Sequence, residues 1–228
     1  MTELAGTPRV KICGHTRVAD VRASVRAGAD AIGVIVDVPV ETPREVSVEQ
    51  VRTLFDAVPP FVTSVLVTMP ETPEQAVALV ERLGPDAIQL HGELPRGDVA
   101  YLRASIDARL LVTVPADELE RAEAYDDLAD ALLVDSVDAD GGGGTGRTHD
   151  WERTREAAAA VDSPVIVAGG LEPANVTDAI ETVAPYGVDV ASGVETDDAT
   201  EEHSRHDHEA IASFVTAARE ATTGVKQS

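Results

Sequence analysis

The sequence predicts a single-domain α/β protein folded as a (β/α)8 barrel, the TIM barrel. Eight short runs rich in Val, Ile, Leu and Ala recur near residues 9–13, 31–36, 62–68, 87–91, 109–114, 131–135, 164–168 and 188–192. An amphipathic helical stretch fills each gap between them. The 228 residues show no linker, no close repeat and no break in composition, and barrels of this kind run about 200–250 residues undivided. The barrel is assigned to 9–221, with tails at 1–8 and 222–228. An open doubly wound sheet is the alternative, and eight successive units favour closure.

Each run is apolar on both faces, as strands buried in a parallel sheet are. The first helix is expected over 17–27, with Thr16 as N-cap and Gly28 as terminator. Ser47-Val48-Glu49-Gln50 has capping-box spacing and opens a helix to about Ala57. Thr72-Pro73-Glu74-Gln75 repeats the device with proline at the first helical position, and Gly84 ends that segment. Further helices are expected near 95–105, 117–126, 151–160, 173–183 and 207–221. The long loops 37–46, 136–149 and 193–206 all follow strands, the end that carries the active site in this fold.

Composition bounds the function. Aromatics are only 3% of residues, so a core must rest on the 43% that are hydrophobic, chiefly Val, Leu, Ile and Ala. No apolar run approaches the ~18 residues needed to span a bilayer, and Met1 to Pro8 shows no secretory signal pattern. One cysteine excludes an internal disulfide framework. Together these features place the chain in the cytoplasm. The net charge is −23, with lysine only at Lys11 and Lys226. No basic patch exists to hold nucleic acid. The apolar periodicity excludes an acidic disordered chain. An acidic coat on a folded protein resembles proteins of salt-loving organisms, in which molar salt screens self-repulsion.

Candidate chemistry gathers at strand ends. Alternation puts Arg9, Lys11 and Cys13 on one face of the first strand, with Cys13 at its C-terminal end. A lone cysteine is commonly a small buried hydrophobe. A catalytic thiolate needs a nearby cation or helix N-terminus, which Lys11 or the helix after Thr16 would supply. Asp135 ends the sixth strand after a mostly apolar run, where desolvation raises a carboxyl pKa and suits it to act as an acid. A loop-capping carboxylate is the bland alternative. Gly141 to Gly144 with Thr145-Gly146 reads either as a flexible linker or as backbone that approaches a ligand closely. The turns at Gly169-Gly170 and Ser192-Gly193 follow strands seven and eight, where phosphate-binding barrels hold phosphate, although tight packing turns look the same. Arg44, after strand two, is one of few cations near the mouth. Gln89 and His91 share a face of strand four, and a packing histidine is the commoner explanation there. His203, His206 and His208 resemble a metal tract only loosely, since no carboxylate or cysteine stands at fixed spacing.

Taken together, these segments resemble the phosphoribosylanthranilate isomerase family of tryptophan biosynthesis. The segments are Lys11-Ile12-Cys13-Gly14, Thr42-Pro43-Arg44, Gln89-Leu90-His91-Gly92, Leu133-Val134-Asp135-Ser136, Gly143-Gly144-Thr145-Gly146, Ala168-Gly169-Gly170-Leu171 and Tyr186-Gly187-Val188-Asp189-Val190 running into Ser192-Gly193-Val194-Glu195, in order and at compatible spacing. The resemblance implies an Amadori rearrangement of N-(5-phosphoribosyl)anthranilate to the 1-deoxyribulose 5-phosphate derivative. It implies Cys13 as the base at C2 and Asp135 as the acid at the ring oxygen. It also implies Arg44 at the anthranilate end, His91 and Gly144 as further substrate contacts, and Gly169, Gly170, Ser192 and Gly193 around the phosphate. No cofactor and no metal are implied, and the partner is a small phosphorylated substrate. The sequence leaves the oligomeric state open. The chain departs from the family at 196–206, which is strongly acidic with His206 where lysine is common, and at 37–41.

Related barrels fit less well. Indole-3-glycerol-phosphate synthase needs lysines at strand ends, and the strands here offer only Lys11. Ribulose-phosphate epimerase needs His and Asp metal ligands on several strands. The sugar isomerase of histidine synthesis uses an aspartate where Cys13 stands. A non-catalytic phosphate-binding barrel would have no need of both Cys13 and Asp135.

Overall fold

The computed structural model of the chain describes residues 7–136, 150–196 and 204–221. Its eight strands close into one parallel barrel in sequence order. They are β1 (Arg9–Ile12), β2 (Ala31–Ile35), β3 (Thr63–Thr68), β4 (Ala87–Leu90), β5 (Arg109–Pro115), β6 (Ala131–Asp135), β7 (Val165–Val167) and β8 (Gly187–Val190). Closure is made by β1 against β8, in register Lys11 to Asp189 and Ile12 to Val190. The doubly wound alternative is therefore excluded. The helices between and after them are α1 (Val18–Ala27), α2 (Val48–Phe55), α3 (Pro73–Leu83), α4 (Arg96–Ser105), α5 (Ala122–Tyr125), α6 (Trp151–Ala160), α7 (Val176–Val183) and α8 (His208–Glu220).

Local chemistry accounts for most element ends. Thr72 and Gln75 form the full reciprocal capping box of α3, with Pro73 in its first turn and Gly84 left-handed beyond it. Gly28 closes α1 at φ 98°, a conformation that favours glycine. Asp150 and Asp207 cap α6 and α8 by accepting backbone N–H groups. Two expected caps come out differently. Arg17, not Thr16, occupies the N-cap of α1, because the Thr16 hydroxyl donates to the Ser204 carbonyl at 2.7 Å. Ser47 accepts from the Gln50 amide as expected, but the Gln50 side chain reaches Thr16 O at 2.7 Å instead of folding back. The stretch expected as one helix near 117–126 divides into a 3-10 turn at Leu119–Arg121 and the short α5.

The core has two shells. Outward strand residues such as Val10, Ile12, Ile32, Leu66, Ile88, Leu110 and Leu132 are fully buried beneath helix residues such as Val21, Leu102, Ile180 and Phe214. Truncating any of the Ile, Leu or Phe side chains among these to alanine costs about 2–5 kcal/mol. The inner shell holds Val65, Val67, Leu111, Leu133, Ile166 and Cys13. Below it Ala31, Ala87, Ala131 and Gly187 are small inward residues, and a cavity of about 650 Å3, also lined by Arg9, Thr63 and Arg109, opens at the N-terminal face.

A device that the sequence reading missed recurs at that face. Asp30, Asp86 and Asp130 precede β2, β4 and β6, each followed by Ala and then Ile or Leu. Their carboxylates accept the backbone N–H of Val10, Ser64 and Leu110, each at 2.8 Å. Each thus satisfies a donor at the start of the preceding strand that the ladder leaves open.

Candidate active site

The inward residues at the C-terminal strand ends form one ionisable cluster. Lys11 and Asp189, paired in register across β1 and β8, make a 2.8 Å ion pair with both side chains buried. Burial works against charge on Lys11, but Asp189 and Cys13 outweigh it and hold the ammonium pKa above its usual value. Directly above, Cys13 donates its backbone N–H to the Val190 carbonyl at 2.8 Å and is itself buried. Its thiol fits because residue 33 is glycine: a Cβ there would lie 2.7 Å from Cys13 Sγ and 3.1 Å from Lys11 Nζ. Burial pushes the thiol pKa up, and Lys11 only partly offsets this. The cation expected beside Cys13 is present, yet it does not win against desolvation.

Asp135 closes β6 and is buried. Burial, reinforced by Asp189 and opposed by Lys11 and Arg44, raises its carboxyl pKa to about 7. Its Oδ1 accepts no hydrogen bond, and neither do Asp189 Oδ1 and Gln89 Oε1. Buried acceptors left this way are costly, on the order of 1–3 kcal/mol each. Three of them on the inner face near one mouth mark a site organised for something other than stability.

Arg44 reaches this cluster from the loop after β2. Gly14, at φ 84°, lets it pass: a Cβ there would stand 2.9 Å from Arg44 Cδ. Its guanidinium grips Glu195 through Nε at 2.7 Å and Nη2 at 2.8 Å. Burial alone would raise the Glu195 pKa, but Arg44 outweighs it and keeps the carboxylate ionised. Nη1 takes no part in that fork. The pair joins the loops after β2 and β8, and Ser204 donates to the same carboxylate.

The two glycine turns do more than turn. Gly169 and Gly170 have φ of 80° and 64°. A Cβ on Gly169 would collide with Ser136 N and Oγ and lie 2.7 Å from Asp135 Oδ1, so this glycine makes room for the acid end of β6. Asn175 Nδ2 donates to the Gly170 carbonyl at 2.9 Å, bracing the turn. Ser192 and Gly193 lie in a 3-10 turn, and a Cβ on Gly193 would run into the Leu171 carbonyl. The loops after β7 and β8 therefore touch. His91 follows β4, half-buried, with its backbone N–H on the Thr68 carbonyl at 3.0 Å. Gly144 and His203 lie outside the described residues.

Asp189, Glu195, Gly33 and His206 escaped the sequence reading as site residues. Asp189 had a legible signal, since Val-Asp-Val alternation turns it inward. The others depend on contacts across the barrel. Of the expected metal tract, His206 and His208 turn to different partners: His206 Nε2 lies 3.0 Å from the Cys13 carbonyl and His208 Nε2 lies 2.9 Å from Asp20. Among the described residues no group of three or more His, Cys, Asp or Glu is placed to hold a metal ion.

A closed α/β barrel with buried ionisable groups gathered at the C-terminal ends of its strands has the layout of a barrel enzyme. The family model for N-(5′-phosphoribosyl)anthranilate isomerase matches residues 10–217. The chain is 58% identical over 210 residues to N-(5′-phosphoribosyl)anthranilate isomerase of Halobacterium salinarum, covering 91% of this chain and 94% of that one. The crystal structure of the Thermotoga maritima isomerase superposes with TM-score 0.79 at 33% identity, covering 92% of this chain and 98% of that one. A further isomerase structure, in complex with reduced 1-(o-carboxyphenylamino)-1-deoxyribulose 5-phosphate, gives TM-score 0.77 at 32% identity with the same coverage. The chain belongs to the N-(5′-phosphoribosyl)anthranilate isomerase family.

Proposed function

We propose that Asp135 and Cys13 are the general acid and general base with which this chain isomerises N-(5′-phosphoribosyl)anthranilate. The chain is an isomerase of tryptophan biosynthesis, and the reaction is an Amadori rearrangement. The observation that carries the assignment is the buried Asp135 carboxyl with its pKa at about 7 and an unpartnered Oδ1. Such a group is half protonated at neutral pH and has an oxygen to offer a ligand.

The steps follow from proton balance. Asp135 gives its proton to the furanose oxygen as the C1–O bond breaks, and the anilino nitrogen lone pair forms the C1=N bond. Only then is the C2 proton acidic. The Cys13 thiolate takes that proton, the C2–H electrons form C1=C2 as the C1=N pair returns to nitrogen, and tautomerisation of the resulting enolamine places a proton on C1 as the 2-hydroxyl gives up its own. Productive enzyme needs the acid protonated and the thiol ionised, so the pair holds one proton between them. With Cys13 above and Asp135 below in pKa, the commoner arrangement of that proton is the reverse, and a minor tautomer is active.

Arg44, with Nη1 outside its Glu195 fork, faces the anthranilate carboxylate, and His91 borders the same end. The backbone at Gly170, Ser192 and Gly193 holds the phosphate, with Gly144 as a further contact. The phosphorylated product analogue in the second crystal structure supports this class of ligand. No helix among the described residues is long and apolar enough to cross a membrane, and we place the enzyme in the cytoplasm with no nucleic-acid partner.

The test follows loss of substrate fluorescence, with the substrate generated in place. Cys13→Ala lowers kcat by at least ~100-fold. The kcat/KM profile of the wild type is a bell. Below about 7 both groups carry protons and the thiolate is missing; above the thiol pKa both are bare and the acid is missing. An acidic limb at ordinary carboxylate pH, or full turnover by Cys13→Ala, refutes the assignment.

A further inference from the structure

Two stacked imidazoles contact the backbone carbonyls of Cys13 and Gly33, and proton transfer as described makes no use of them. His206 is 4% exposed and His15 fully buried, with ring centroids 4.6 Å apart and planes 27° from parallel. His206 Nε2 lies 3.0 Å from the carbonyl oxygen of Cys13. A carbonyl only accepts, so Nε2 carries the hydrogen and donates. Nδ1 is buried without a partner, which makes the ring the neutral tautomer. By the same logic His15 donates from Nδ1 to the Gly33 carbonyl at 3.2 Å, while Nε2 accepts from the Ser24 hydroxyl at 2.8 Å.

The two carbonyls held in this way belong to the two walls of the thiol slot. Cys13 bears the sulfur, and Gly33 is the residue whose missing Cβ makes room for it. The direction of the Cys13 Cα–Cβ bond depends on the two peptide planes that flank it. The preceding plane is fixed by the Cys13 N–H on Val190. The following plane runs into Gly14 at φ 84°, where a glycine supplies no stiffness of its own. That plane is held by Gly14 N on the Gly33 carbonyl at 3.1 Å and by His206 on the Cys13 oxygen. His206 is held in turn. It pairs with Glu195 as an antiparallel bridge, flanked by Thr196 N on Arg205 O at 2.9 Å and Asp207 N on Val194 O at 2.8 Å. The same ladder carries the Glu195 carboxylate that grips Arg44.

We propose that His206 is a positioning residue for Cys13: its Nε2–H on the Cys13 carbonyl, braced by the ring of His15, sets the direction of the thiol toward the substrate. The inference rests on the assignment of Cys13 as base. A misplacement of about 1 Å costs up to ~100-fold in rate even when binding is unchanged. The effect therefore falls on kcat.

Three variants test it, each assayed beside Cys13→Ala. His206→Phe keeps a stacking ring and removes the donor. His206→Met removes both with an adaptable side chain. His206→Gln keeps an N–H donor. His206→Phe is expected to lower kcat about tenfold or more with KM within about threefold, and His206→Gln to recover most of that loss. Wild-type kcat in folded His206→Phe overturns the proposal. So does a loss in which KM rises in step and Gln does no better than Phe, because that pattern describes loop anchoring alone. If neither Phe nor Met variant melts cooperatively, His206 serves the fold and the proposal falls. Undiminished turnover by Cys13→Ala, in contrast, removes the base assignment itself, whatever the His206 variants do.

Discussion

The two mouths of the barrel treat the same residue type in opposite ways. At the N-terminal face, Asp30 accepts from the Val10 amide and pairs with Arg9 and Arg219, and Asp130 accepts from the Leu110 amide and pairs with Arg103. Asp86 accepts from both the amide and the hydroxyl of Ser64. Each of these aspartates closes an open strand start and stays in touch with solvent. At the C-terminal face, Asp135 and Asp189 are buried, and each leaves one oxygen without a hydrogen bond. The lower aspartates stabilise the barrel. The upper pair stores unsatisfied polarity that a substrate can use, at a standing cost to stability. Space is allotted differently too. The small inward residues of the lower layer leave a cavity, whereas Gly14, Gly33 and Gly169 above give their space to Arg44, Cys13 and Asp135.

The largest test of this contrast is Asp135→Asn. Turnover falls by at least ~100-fold, while stability rises. The folded-state pKa of about 7 lies above the unfolded carboxylate value, so folding disfavours the ionised form. The resulting penalty is absent near pH 4, grows as pH rises toward 7 and is complete above it. Asparagine removes it, for a gain of roughly 2–4 kcal/mol at pH 8 that vanishes near pH 4. Denaturant melts at the two pH values measure it; an asparagine variant no more stable at pH 8 refutes the claim of stored polarity.

Gly169→Ala should come next, with kcat down about tenfold or more and stability down about 1–3 kcal/mol. Its Cβ would strike Ser136 and crowd Asp135 at a positive φ. Normal turnover in this variant would show that the acid tolerates displacement. Arg44→Ala should lower kcat/KM about tenfold, mainly through KM, because it removes uniform binding of the anthranilate carboxylate. An unchanged kcat/KM takes Arg44 out of the site. The smallest catalytic effect belongs to the lower mouth. Asp130→Ala should cost about 1–2 kcal/mol from the lost amide bond and leave kcat within about twofold. A large loss of turnover there would break the division of labour between the two faces.

Much of this architecture is legible in the sequence. Two-sided apolar runs separated by capped helical stretches identify buried parallel strands and their crossovers. Thr72-Pro73-Glu74-Gln75 and the terminal Gly84 specify α3 completely, because capping is settled within a few residues. Alternation along β1 puts Lys11 and Cys13 inside the barrel and Val10 and Ile12 against the helices, where the structure has them. The same local logic misassigned Thr16, whose hydroxyl is claimed by Ser204, a residue 188 positions away.

The strands, most of the helices, the inward faces and the family can be read from the chain alone, since each rests on periodicity or on motifs a few residues long, whereas the 117–126 stretch divides into a 3-10 turn and a short helix. Only the tertiary structure decided that Lys11 meets Asp189, that Arg44 is forked onto Glu195, that Gly33 and Gly169 are spaces for Cys13 and Asp135, and that burial outweighs Lys11 in setting the thiol pKa. The Lys11 and Arg44 partners lie 178 and 151 residues apart. Such pairings depend on the register in which β1 closes against β8, and no local pattern states that register. A pKa depends in turn on the balance of desolvation against charge at one point in space, which exists only once the barrel has closed.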